Sequence, residues 1–76
     1  MTLLNKLIPG QKAKVVGFTQ DSPLCRRLHE LGLVPGKSVT YLCRAPLHDP
    51  LLIEIGQSRL SLRRAEASLV AVEIED

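Results

Sequence analysis

The sequence predicts a mainly β protein: about five short strands in a strongly bent sheet, with one α-helix inserted after the first strand. Three observations carry this. The chain has 76 residues, so residues 1–76 are expected to form a single small domain. Pro9-Gly10, Gly32, Pro35-Gly36, Pro46, Pro50 and Gly56 cut it into pieces that are mostly too short for helices. Most of those pieces alternate apolar and polar residues with the period of a strand, and one has the period of a helix.

Lys12 to Phe18 is the first predicted strand, with Ala13 and Val15 on one side and Lys12 and Lys14 on the other. Gly17 marks a bulge or bend there. Residues 22–31 are the helix. Ser22 suits the N-cap, Pro23 the first helical position, and Leu24, Leu28 and Leu31 form the apolar stripe. Gly32 falls where a left-handed C′ residue is needed, and Leu33 and Leu28 are the apolar pair that closes a Schellman ending. Pro35-Gly36 then suits a type II turn.

Ser38 to Arg44 is the second strand, with Val39, Tyr41 and Cys43 on one face. Leu51 to Ile55 is the third, with Leu51, Ile53 and Ile55 inward and Leu52 and Glu54 outward. Gly56-Gln57-Ser58 joins it tightly to Arg59–Arg63, so the two strands read as a hairpin. A short helical turn is expected at Arg64–Ala67, and Leu69 to Ile74 is the last strand, with Val70, Val72 and Ile74 inward. Five strands in so short a chain must roll up to cover their apolar face and reduce exposed edges. A small SH3-like barrel with an inserted helix satisfies that.

Size and composition narrow the function. Apolar residues make up 45% and charged residues 24% of the chain, which disfavours wholesale disorder. A core this thin has little room for a deep, dry active site. The only aromatics are Phe18 and Tyr41, too few for stacking platforms or for the aromatic-lined grooves that hold polyproline ligands. No phosphate-cradling loop and no nucleophile–base arrangement is present, so the chain reads as a non-enzyme. Two cysteines, Cys25 and Cys43, are sparse for a secreted domain of this size, and Leu3, Leu4, Leu7 and Ile8 are interrupted by Asn5 and Lys6. Apolar runs such as Leu31–Val34 fall far below the roughly 20 residues of a membrane span. A cytoplasmic protein with two free thiols and no membrane insertion is expected.

Net charge is +2, unevenly spread. Residues 1–64 hold ten bases and four acids, a balance of +6; residues 65–76 hold four acids and no base, a balance of −4. The basic body suits an anionic partner, but without aromatics or a contiguous stripe it does not indicate nucleic acid.

At this point the string resembles a known family. Arg26-Arg27-Leu28-His29-Glu30-Leu31-Gly32-Leu33-Val34-Pro35-Gly36 resembles the RRLxELGLxPG signature of the FeoA family. Ala45-Pro46-Leu47-His48-Asp49-Pro50-Leu51 is similar to its APLGDPL loop, and Leu60 to Ala67 to its LALRxxEA segment. His48 stands where the family usually has glycine, which leaves its role in that loop open. The resemblance implies an SH3-like barrel and an accessory, regulatory role in bacterial ferrous-iron uptake. The implied partner is the cytosolic part of the membrane GTPase permease, FeoB. No cofactor is implied.

Arg26, Arg27 and Glu30 are candidate partner-binding residues. Arg26 and Glu30 share the outward face of the helix as an i, i+4 pair in the weaker orientation, and two arginines near the helix start oppose the dipole. Leu47 and Leu52 are the apolar candidates, as an exposed docking patch. Cys25 and His29, also at i, i+4, have the spacing to clip one ferrous or zinc ion. Two ligands do not close a site, and a half-buried cysteine beside a surface histidine accounts for them better, so no metal site is expected. If the pair did bind, with His48 or Asp49 as further donors, the chain would instead deliver or sense ferrous iron. Exposed sheet edges leave weak self-association open.

Overall fold

The computed structural model describes residues 1–44 and 49–75, the side chain of Arg44 excepted. Among them, six strands form one antiparallel sheet: β1 (Thr2–Leu3), β2 (Lys12–Phe18), β3 (Ser38–Arg44), β4 (Leu51–Ile55), β5 (Ser58–Leu62) and β6 (Val70–Glu75), in the order β1-β6-β2-β3-β4-β5. Two helices, α1 (Pro23–Glu30) and α2 (Arg64–Ala67), and a 3-10 turn at Leu4–Lys6 complete the elements. The mainly β class and the inserted helix are as the sequence predicts. The sixth strand, β1, is an addition: at two residues it has no readable period and is defined only by its rungs Thr2↔Val72 and Leu3↔Ala71.

Both ends of α1 form as the sequence reads. The Ser22 hydroxyl accepts from the Cys25 N–H at 3.2 Å, and Pro23 opens the helix. At the other end the Leu33 N–H donates to the Leu28 carbonyl (3.2 Å) and the Gly32 N–H to that of His29 (3.0 Å), with Gly32 at φ 114°. This is the Schellman pair of bonds. It folds Leu33 back so that Leu33 and Leu28 are both fully buried. Pro35-Gly36 forms a turn closed by Lys37 N–H to Val34 carbonyl at 3.1 Å, with Gly36 at φ 92°.

The core gathers Leu4, Leu7, Ala13, Val15, Leu28, Leu33, Val39, Tyr41, Leu51, Ile53, Ile55, Leu62, Ala67, Val70 and Val72. Three positions differ from expectation. The stripe of α1 runs through Cys25 and Leu28 with Leu24 half-buried, while Leu31, at the C-cap beyond the last helical turn, is 46% exposed. Cys43 is exposed because β3 slips register against β4 between Tyr41 and Cys43, and a one-residue slip sends the next side chain to the opposite face. Ile74 is 47% exposed: it lies beyond Val72, the last residue of β6 covered by the two-residue β1. In β2 a second register shift, between Val15 and Gly17, is the bulge signalled by Gly17, and Val16 points outward as the alternation from Ala13 and Val15 requires.

Candidate functional site

Helix α1 and the segment before it form an open groove of about 550 Å³, lined by Phe18, Gln20, Asp21, Cys25, Arg26, His29 and Glu30. Its geometry follows from the two chain features above. The last residue of β2, Phe18, is held beside β6 through Phe18↔Val70, and Thr19 N–H donates to the Leu69 carbonyl at 2.9 Å. The chain then turns through residues 19–21 to the Ser22 cap, so that α1 runs back past Phe18. Cys25 is buried at 3% exposure and forms part of the floor. Phe18 is half-buried and meets the exposed His29, ring centroids 6.5 Å apart at 50°.

The charges along the groove are sorted by pairing. Arg26 reaches back to Asp21 rather than forward to Glu30: its Nε lies 3.3 Å from Asp21 Oδ1 and its Nη2 3.4 Å from Oδ2. Thus the i, i+4 pair predicted for α1 is replaced by one that spans the cap. The Glu30 carboxylate takes part in no ion pair or hydrogen bond among the described residues. Arg27 leaves this face altogether, its Nη2 lying 3.7 Å from Glu66 Oε2 on α2.

Glu66 belongs to a small network that fixes α2. Its Oε1 accepts from the Arg63 N–H at 2.8 Å, the returning half of a capping box. Arginine has no acceptor for the outgoing half. Asp49 instead caps the first helical N–H from a distant loop: its Oδ1 accepts from the Arg64 N–H at 3.0 Å and its Oδ2 lies 4.0 Å from Arg63 Nη1.

The structure therefore brings together four of the residues singled out from sequence, Cys25, Arg26, His29 and Glu30, in one groove. Arg27 is not among its lining residues. Leu52, the second residue of β4, is half-buried between Cys43 and Ser61 on the neighbouring strands, and does not line the groove either. Leu47 and His48 lie outside the described residues. Phe18, Gln20 and Asp21 were missed as site residues. Two signals pointed to them: Phe18 is one of only two aromatics, and Asp21 directly precedes the helix cap. The described residues contain no group of three or more His, Cys, Asp or Glu side chains placed to hold a metal ion. Nor does any helix among them have the length and apolarity to cross a membrane.

The FeoA domain family profile matches residues 2–74. The chain belongs to the FeoA family. A curated relative, the Fe(2+) transport protein A/Fe(2+) transporter FeoB fusion protein of Porphyromonas gingivalis (strain ATCC BAA-308 / W83), is 35% identical over 71 residues. That match takes in 93% of this FeoA-family chain, which spans only 8% of the fusion protein's length. The solution structure of the FeoA protein from Chlorobium tepidum superposes with a TM-score of 0.90 at 35% identity, covering 99% of this chain and 71% of that one. The crystal structure of Stenotrophomonas maltophilia FeoA complexed with zinc gives a TM-score of 0.84 at 32% identity, covering 96% and 91% of the two chains. That protein is described as a procaryotic SH3 domain protein possibly acting as a bacterial ferrous iron transport activating factor. The SH3-like architecture expected from the strand pattern is thus the architecture of the family.

Proposed function

We propose that this FeoA domain is a non-enzymatic accessory component of ferrous-iron uptake that docks on the cytosolic part of a FeoB-type permease. The observation that carries the reading is the relative in which a sequence 35% identical to this one is joined to FeoB in a single polypeptide. Covalent linkage raises the effective concentration of two modules to the millimolar range, which is useful where the separate modules bind weakly and transiently. The groove side of α1, with Arg26 and Glu30 on its rim, is the proposed contact. Arg27 and Leu52, outside the groove, and the apolar Leu47 stand as secondary candidates.

The size of the molecule sets the expected strength. Its accessible surface is 4659 Å², so a standard interface of about 800 Å² per partner would consume roughly a sixth of it. One helix face and its flanking segment cover less, the size range of weak, transient contacts, so a weak complex is expected. Titration of the purified chain against the permease and its isolated cytosolic domain, with and without guanine nucleotide, measures this directly. Saturable binding in at least one state is expected; absence of binding in every state would overturn the docking role.

A further inference from the structure

We propose that the groove beside α1 takes a short extended segment that presents one apolar side chain to Phe18 and Cys25 and one cationic side chain to Glu30. This deepens the docking reading and rests on it, since the segment is taken to belong to the permease's cytosolic part. The chemistry of the occupant follows from which groove charges are already satisfied. Arg26 is neutralised by both oxygens of Asp21. An acidic partner, the natural expectation from an Arg-Arg pair on a helix, would therefore have to break that contact. Glu30 has no partner among the described residues and is the last helical residue of α1. An anion there opposes the negative end of the helix dipole, and a cation placed beside it relieves both unfavourable interactions. Asp21, Arg26 and Glu30 on its rim together leave one net negative charge.

The floor is apolar, formed by the half-buried Phe18 ring and the buried Cys25. Helix α1 lines the groove from Cys25 to Glu30, a length of about 9 Å. About three residues of extended chain span that distance. Its openness to solvent along this length favours a chain segment over an enclosed small molecule.

Two capped tetrapeptides, Leu-Lys-Leu-Lys and Leu-Glu-Leu-Glu, test the charge rule independently of the permease. Titrated into the isotopically labelled chain, the lysine peptide is expected to shift the amide signals of Phe18, Gln20, Cys25 and Glu30. It should bind about fivefold tighter than the glutamate peptide, the scale of one exposed ion pair. Glu30→Lys should reverse that preference. Equal binding of the two peptides, an unreversed preference, or shifts confined to other surfaces would overturn the proposal.

A second arm uses the permease itself. Glu30→Lys is expected to weaken its binding about tenfold, whereas Glu73→Lys, an equal charge change outside the groove, alters it by less than twofold. Permease binding unaffected by Glu30→Lys would remove the groove as the contact while leaving docking intact. Peptide selectivity without permease binding would instead remove the permease as the source and the docking reading with it.

Discussion

Gly32 is held at φ 114° so that two successive N–H groups can turn back onto the carbonyls of Leu28 and His29. A side chain there would meet only Ile55 Cγ2, at 3.9 Å, an ordinary contact. The penalty for Gly32→Ala is therefore one of backbone conformation. It is expected to cost about 1–3 kcal/mol, read as a lower urea midpoint at unchanged m. Gly17 has no positive φ and open space around a built Cβ, so Gly17→Ala should change stability by no more than about 0.5 kcal/mol. The same local reasoning applies to Cys25 and His29. They share a groove, but Cys25 is 97% covered, being only 3% exposed, and two donors leave a tetrahedral ion half-coordinated. Anaerobic calorimetry with Fe(II) or Zn(II) is expected to find millimolar binding. Micromolar affinity lost in His29→Ala would instead make these residues ligands and favour iron delivery or sensing.

Helix α2 has four residues, too few to persist on helical propensity. It is held by its ends and by the burial of Ala67. Removing the Glu66 carboxylate loses the bond from the Arg63 N–H and the contact with Arg27 together. Glu66→Ala should therefore cost about 1–2 kcal/mol, and Asp49→Ala about 1 kcal/mol, by chemical denaturation. Only a few tenths of a kcal/mol of the Glu66 effect should couple to Arg27→Ala in a double-mutant cycle, because that pair is exposed on the arginine side. This network also marks where sequence reading stops. The caps of α1, the hairpin turn and five strands were readable because each is encoded within a few residues of itself. The Asp49 cap of α2 spans 15 residues and follows no local rule. The register slip that turns out Cys43 depends on the neighbouring strand, and β1 exists only as two rungs on β6. The candidate site was legible in its helical half, Cys25, Arg26, His29 and Glu30. Its other half, Phe18 to Asp21, is placed by the β2–β6 ladder, and so is the choice of Asp21 over Glu30 as the partner of Arg26.

Across the whole molecule, the basic body and the acidic end are not two separate regions. Strand β6 lies against β2 with Glu75 opposite Lys12 and Glu73 opposite Lys14, and Lys14 Nζ sits 4.0 Å from Glu75 Oε1. Elsewhere Arg59 faces Glu54 at 3.8 Å, Arg63 faces Asp49, Arg27 faces Glu66 and Arg26 faces Asp21. Folding thus disperses the +6/−4 asymmetry of the sequence into neighbouring opposite charges, and the bases with acidic neighbours are set on several different elements. A protein that binds nucleic acid through phosphates needs its cations gathered and free to displace counterions. It needs them on one face as well. We therefore expect no gel shift of DNA or RNA at physiological salt. Any retardation at low salt should vanish steeply as salt rises, and the double variant Glu73→Gln/Glu75→Gln, which frees Lys12 and Lys14, should strengthen it. Retention of a shifted band at physiological salt by the unaltered chain would show that the cations act together despite their pairing, and would make an anionic polymer a ligand of the basic body.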